Sequence, residues 1–250
     1  MKPKVGRKRL DLLLVERGCA VSSQKATAMI LAGEVQVDGR RAGKAGMPVA
    51  EDARIEVISR VQRFVSRGGT KLEGALGDFG IDPAGRVCLD IGSSHGGFTD
   101  CLLQHGAARV YATDVNVEQL DWKLRQNPCV IPLERNAREL KVEDLPESVD
   151  IVVIDVSFIS VRKVIAPAVA LAKSGADLLI LVKPQFELRR VEIAPGGIVK
   201  DQELHDQAIQ TVRKHIESVG LDCLAIRPSR LLGAEGNQEY FLHARKKALE

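Results

Sequence analysis

The segment that most constrains this chain is CLDIGSSHGGFTD, residues 88–100. An apolar strand runs straight into a turn holding Gly92, Gly96 and Gly97, and then into a helical pattern. Open α/β sheets use this arrangement to bring backbone close to a ligand at the C-terminal ends of their strands. The spacing G-x-x-x-G-G differs from the G-x-G-x-x-G of a pyrophosphate site, and Asp90, just before the turn, repels phosphate while suiting a cationic ligand. The turn therefore favours S-adenosylmethionine over a nicotinamide dinucleotide. The next strand, ARVYATD, ends at Asp114, 22 residues after Gly92, where a carboxylate commonly accepts the ribose hydroxyls of an adenosine ligand. His95 reads as an exposed residue of the turn.

From Arg86 onward, short apolar strands (86–92, 108–115, 129–133, 149–156 and 176–184) alternate with helical stretches at 97–105, 117–125, 161–173 and 201–218. Runs such as IVVI (151–154) are apolar on both faces, as in a parallel sheet covered by helices on each side. Two further strands, 221–230 and 239–247, have only a loop between them and close the sheet as an antiparallel hairpin. The fold class is α/β, a Rossmann-like sheet of the methyltransferase kind. Ahead of it lies a small α+β unit, with helices over 9–18 and 22–33, a hairpin turning at Asp38-Gly39 and a strand at 53–58. The expected domains are residues 1–58 and 67–250, joined by a basic linker at 59–66.

Charge follows the same division. Residues 1–71 hold 15 basic and 7 acidic side chains, whereas residues 72–250 are net acidic, although the whole chain carries only +3. A basic module that meets a polyanion, joined to a body with another task, fits that asymmetry. No apolar run approaches the roughly 18 to 20 residues that cross a bilayer as a helix, and Asp11 and Glu16 interrupt the one N-terminal stretch that resembles a leader. The five cysteines (19, 88, 101, 129 and 223) lack C-x-x-C spacing and point to a reducing, cytoplasmic setting. The histidines lack metal-ligand spacing, so no metal is expected.

Two strand ends carry charges where apolar residues are the rule: Asp155 after VDIVVI and Lys183 after LLILV. A charge at the last position of a central strand is costly unless paired, hydrated or functional. With these in place, the chain resembles the TlyA family, also called hemolysin A. The resemblance rests on RLDLLLVERG (9–18), the SSQKA…EVQVDG run, VSRGGTKL (65–72), DIGSSHGGFTD (90–100), QLDWKLR (119–125), IDVSFIS (154–160), VKPQFE (182–187), GGIVKD (196–201) and GAEGNQEYFL (233–242). The family joins an RNA-binding domain of the ribosomal-protein-S-four type to an FtsJ-like ribose 2′-O-methyltransferase.

The resemblance implies a Lys-Asp-Lys-Glu tetrad at Lys71, Asp155, Lys183 and Glu239. Lys183 is the expected proton acceptor, Asp155 orients it, and Lys71 and Glu239 position the nucleotide. S-adenosyl-L-methionine is the implied cofactor, held by Asp90, Gly92, Ser94, Gly96, Gly97, Phe98 and Asp114, with Phe98 packing rather than reacting. The implied substrate is ribosomal RNA or a ribosomal subunit, at a cytidine ribose. Phosphates would meet Arg7, Lys8, Arg9, Arg17, Lys25, Arg40, Arg41 and Lys44, together with Lys2 and Lys4. The low aromatic content argues for shape recognition of folded RNA rather than stacking of single strands. The chain departs from the family at His95, in the shortened LERNAR loop (133–138), and at Gln62-Arg63-Phe64-Val65, where some members carry R-x-W-V; Arg60 or Arg63 stands near the missing arginine. Two other readings are a membrane-active hemolysin and an RNA-binding protein with an inactive methyltransferase fold.

Overall fold

The computed structural model describes residues 6–57, 63–193, 196–233 and 235–247. The chain divides into two compact units, Met1–Val61 and Gln62–Glu250.

In the first unit, strand β1 (Arg7–Arg9) leads into α1 (Leu10–Glu16) and α2 (Ser23–Leu31), followed by β2 (Val35–Val37), β3 (Arg40–Arg41), β4 (Pro48–Ala50) and β5 (Ile55–Val57). Helix α2 starts at Ser22, whose side chain accepts from the Lys25 N–H, satisfying one of the donors a helix start leaves open. The hairpin between β2 and β3 turns at Asp38-Gly39, both with positive φ, which is the geometry an Asp-Gly hairpin supplies. Leu10, Leu13, Leu14, Ala26, Met29, Ile30, Val35 and Val49 form the core. The antiparallel pair β1–β4 was not expected from sequence, because both strands are three residues long and carry no alternating apolar pattern.

The second unit begins with α3 (Arg67–Phe79), β6 (Val87–Ile91), α4 (Gly97–Gln104), β7 (Arg109–Asp114), α5 (Trp122–Arg125) and β8 (Val130–Glu134). It continues through β9 (Val149–Ile154), α6 (Arg162–Leu171), β10 (Ala172–Val182), α7 (Pro184–Glu187), α8 (Gln202–Ser218), β11 (Leu221–Pro228) and β12 (Tyr240–Lys246). One seven-stranded sheet has the order β8-β7-β6-β9-β10-β12-β11. The first five strands are parallel; β12 runs antiparallel between β10 and β11. Alternation along β9 sends Val152 and Ile154 into the core layer shared with Val164, Ile165, Val212 and Ile216, from α6 and α8. Ile151 and Val153 face the other layer, with Leu72 and Leu76 of α3 and Leu102 of α4. No helix among the described residues is long and apolar enough to cross a membrane.

Several boundaries differ from the sequence expectation. Residues 63–66, read as the end of a linker, pack into the second unit: Phe64 is buried and the Val65 N–H donates to Asp100 at 2.8 Å. Helix α3 was not expected at all, since four glycines in thirteen residues (Gly68, Gly69, Gly74 and Gly77) disfavour a helix. Its N-cap is Ser66, and Gly80 ends it in the left-handed conformation. The expected helix over 117–125 is broken in two because Asn116 caps a short turn at Glu118 while Asp121 caps a second start at Lys123. Strand β10 takes over at Ala172, one residue after α6 ends.

Packing explains Gly69 in α3 and Gly97 in α4. A Cβ at Gly69 would stand 2.3 Å from the Phe64 ring, and one at Gly97 would stand 2.1 Å from Ser66 Oγ and 2.9 Å from the Gly69 nitrogen. Helices α3 and α4 therefore approach through surfaces without side chains. Gly77 faces open space. Gly69→Ala should lower the unfolding free energy by about 1–3 kcal/mol through overpacking, and Gly77→Ala should raise it by about 0.5–1 kcal/mol through helix propensity. Urea unfolding of the full chain checks both signs.

Candidate active site

The chemistry-bearing strand ends meet at the C-terminal edge of the sheet. Ile154 at the end of β9 lies beside Ile180 of β10, and Val182 at the end of β10 lies beside Tyr240 of β12. Asp155, Lys183 and Glu239 are the residues immediately beyond those ends, so the register sets them on adjacent strands. Strand spacing in a sheet is about 4.8 Å. Lys183 Nζ is 2.6 Å from Asp155 Oδ1. Lys71, from the second turn of α3, reaches Glu239 Oε2 at 2.5 Å. Lys71 is 9% exposed, Lys183 8% and Glu239 3%, and lysines this deeply placed require a partnered charge. The four tetrad residues singled out in the sequence thus form two ion pairs at one edge of one sheet. A buried amine beside a carboxylate can hold or take a proton at an oxygen brought against it.

The glycine turn lies over the ends of β6 and β7. The N–H groups of Gly92 and Ser93 both donate to the Thr113 carbonyl, at 2.9 and 3.0 Å. Asp114 organises the next step, accepting from the Ser94 N–H at 3.0 Å on one oxygen and from the Asn116 N–H at 3.2 Å on the other. The glycines make room for the protein's own atoms rather than simply clearing space for a ligand. A Cβ at Gly92 would meet the Asp155 carbonyl oxygen at 2.4 Å, and one at Gly96 would meet Leu124 at 2.3 Å and Leu120 at 2.7 Å. Gly92 therefore presses the turn directly against the strand end that carries Asp155. Phe98 is buried and stacks on Phe241, ring centroids 6.0 Å apart, so it belongs to the core beneath the turn. Ser94 and His95 are exposed.

Asp90 is completely buried. One carboxylate oxygen accepts from Thr99 Oγ1 at 2.6 Å, while Oδ1 has no partner; Ser93 Oγ and Thr113 Oγ1 are likewise buried and unpartnered. Three orphaned polar atoms around a turn that opens at strand ends fit an S-adenosylmethionine whose amino group carries the positive charge. Asp90, Ser93 and Thr113 would hold that end, and Asp114 the ribose. Ser93 and Thr113 were missed in the sequence; their only signal is adjacency to the turn and to Asp114.

In the first unit the basic residues divide into two sets. Lys8 pairs with Glu16, Arg9 with Asp11, Arg17 donates to the Ala53 and Glu51 carbonyls, and Arg41 to the Ala32 carbonyl. Arg7, Lys25, Arg40 and Lys44 are exposed and enter no ion pair among the described residues. Asp11, itself buried, is held below the usual carboxylate range, first by the Arg9 hydrogen bond. Lys2, Lys4, Arg60 and Gln62 lie outside the described residues. Arg63 pairs with Glu73 and lies over the Phe64 ring. In the LERNAR loop, Asn136 caps the turn at Arg138, and Arg135 meets Asp144 at 3.2 Å.

A mostly parallel seven-stranded sheet with one inserted antiparallel strand, a glycine turn after its first strand and an acid at the end of the second defines a methyltransferase-type unit. Residues 64–246 match the FtsJ-like methyltransferase family and residues 8–55 match an S4 domain. The chain is 45% identical over 241 residues to the 16S/23S rRNA (cytidine-2′-O)-methyltransferase TlyA of Mycobacterium tuberculosis, covering 96% of this chain and 90% of that protein. It is 39% identical over 238 residues to hemolysin A of Brachyspira hyodysenteriae, covering 94% and 98% respectively. A solved structure of a candidate hemolysin from Streptococcus thermophilus superposes with a TM-score of 0.76 at 34% identity, over 98% of this chain and 90% of that one. The chain belongs to the FtsJ-like methyltransferase family and, with an S4 domain ahead of the sheet, to its TlyA group. The family and fold class expected from the sequence hold.

Burial raises the Asp90 carboxyl to about 7; the Thr99 hydrogen bond opposes the shift, and the charges of Asp155 and Asp114 add to it. In the native state the group keeps a proton that the unfolded chain releases in the ordinary carboxylate range. Stability should therefore fall as pH rises from that range to about 7, then level off. Asp90→Asn lacks this term. Its stability relative to the native sequence should improve by up to about 4 kcal/mol between pH ~4 and ~7 and stay constant above, as read from urea unfolding of ligand-free protein across pH.

Proposed function

We propose that this chain transfers the methyl group of S-adenosylmethionine to the 2′-hydroxyl of a cytidine ribose in ribosomal RNA, in the cytoplasm. The observation that carries this reading is the convergence of Lys71–Glu239 and Lys183–Asp155 at one sheet edge, against a turn whose Gly92 touches the Asp155 backbone. The TlyA relative named above acts on 16S and 23S rRNA at the cytidine 2′-oxygen, and the S4 match supports an RNA substrate.

When bound, the sulfonium donor supplies a methyl group already activated for displacement. What remains for the protein is alignment of the ribose oxygen and disposal of its proton. Lys183, in its neutral form, takes that proton. Asp155 fixes the amine at the strand end and stabilises the ammonium that results. Lys71 and Glu239 fix each other at the neighbouring strand and position the nucleotide. Asp90, Gly92, Ser94, Gly96, Gly97 and Asp114 build the donor turn, together with Ser93 and Thr113; Phe98 supports it from the core. The target nucleotide is extruded so that its 2′-oxygen reaches the sheet edge.

The first unit docks folded RNA. Arg7, Lys25, Arg40 and Lys44, which have no ion pair among the described residues, offer their cations to phosphates, and Lys8, Arg9, Arg17 and Arg41 add to the same basic field while tied to internal acceptors. Phosphate contacts set position without reading sequence.

Methyl transfer from labelled S-adenosylmethionine to ribosomal subunits tests the chemistry. Lys183→Ala and Asp155→Ala should each lose about 10²–10⁴-fold in rate while still binding the donor in calorimetry. Undiminished transfer by both variants refutes the assignment, and failure of the native chain to bind the donor marks an inactive RNA-binding protein. For the first unit, Arg40→Glu with Lys44→Glu should weaken RNA binding and flatten the log–log salt dependence by about one to two phosphate contacts. An unchanged slope would remove these residues from the RNA surface.

A further inference from the structure

Lys183 Nζ has two acceptors within reach. Asp155 Oδ1 lies 2.6 Å away as an ion-pair partner, yet that oxygen has no aligned hydrogen bond. The aligned hydrogen bond of the amine goes to Ser157 Oγ, at 2.7 Å. A lysine nitrogen offers three directions besides its bond to carbon. With the carboxylate packed against the amine and the serine accepting one of its N–H bonds, rotation about the bond to carbon is fixed.

Ser157 owes its place to the backbone around it. Before it, the Asp155 N–H donates to the Ile91 carbonyl at 2.9 Å, which ties the loop to β6. After it, Glu187 of α7, its side chain 1% exposed, accepts from Ser160 Oγ at 2.6 Å and from the Val161 N–H at 2.8 Å. Helix α7 starts directly after Lys183, so the same short helix anchors both the far end of the loop and the lysine. Between the anchors, Phe158 takes a positive φ and its ring lies 5.4 Å from that of Phe186. The backbone on both sides of Ser157 is thus anchored by contacts that do not involve the amine, as preorganisation requires.

We infer that Ser157 is a positioning residue for Lys183: its hydroxyl accepts one N–H of the amine and so fixes the amine's rotation, which turns its lone pair toward the ribose hydroxyl. The inference rests on the functional reading above, in which Lys183 takes the ribose proton. The other charges at this edge, Asp155, Glu187 and the Lys71–Glu239 pair, are the same in variant and native chain. Ser157 is exposed, so substituting it costs the fold little.

The test measures 2′-O-methyl transfer by the full chain, with S-adenosylmethionine and ribosomal subunits. Ser157→Ala should lower kcat about 10–100-fold with both KM values within about threefold. Ser157→Thr, which keeps the hydroxyl, should restore most of kcat. A Ser157→Ala chain with native kcat overturns the inference, as does a Ser157→Thr chain no faster than Ser157→Ala, which denotes a structural role alone. Should the alanine variant unfold, Ser157→Thr and Ser157→Val, matched in shape and differing in the hydroxyl, replace it: equal rates for the two overturn the inference. A native chain that transfers no methyl group defeats the functional reading itself, an outcome distinct from any difference among the variants.

Discussion

Two lysines, each with less than a tenth of its surface exposed, sit at the same edge of one sheet, and each is matched by a single carboxylate. The remainder of the second unit follows from keeping those charges partnered. Removing Glu239 would leave the buried Lys71 amine without its partner, at a cost of several kcal/mol. The pairing in turn requires the strand register, since a slip of one residue in β10 or β12 would turn Lys183 or Glu239 to the opposite face. It also requires α3 to lie close to α4, because Lys71 arrives from that helix. Gly97 permits that approach, since a Cβ there would meet Ser66 and the backbone of Gly68 and Gly69.

Much of this was legible in the sequence because the signals were local. Apolar runs marked β6, β7, β9 and β10, and a charge at the end of an otherwise apolar strand marked Asp155 and Lys183. Lys71 and Glu239 have no such local signature. Lys71 sits in a glycine-rich stretch and Glu239 in a polar loop, and only family resemblance singled them out. What escaped was what depends on partners distant in the chain. Helix α3 is made stable by Phe64, Leu72 and Leu76 packing against the sheet, which propensity does not register. The β1–β4 pair consists of strands too short to show a period. The turn glycines were expected to admit a ligand, whereas the atoms they accommodate are Asp155, Leu120, Leu124 and Ser66, from segments scattered along the chain.

The first unit shows the limits of counting charge. Eight described basic residues were candidates for phosphate contact, and four of them already satisfy a carboxylate or a carbonyl. Such residues still contribute to a positive field, but their side chains must trade an existing partner for a new one, which lowers the net gain. Arg7, Lys25, Arg40 and Lys44, with no ion pair among the described residues, do not face that exchange there.

The contact of Gly92 with the carbonyl of Asp155 has one more implication. The turn after β6 and the strand end that carries Asp155 form a single packed junction of backbone. The spacing between them is consequently inherited from the sheet rather than set by side-chain choice, and it stays fixed as long as residue 92 has no side chain.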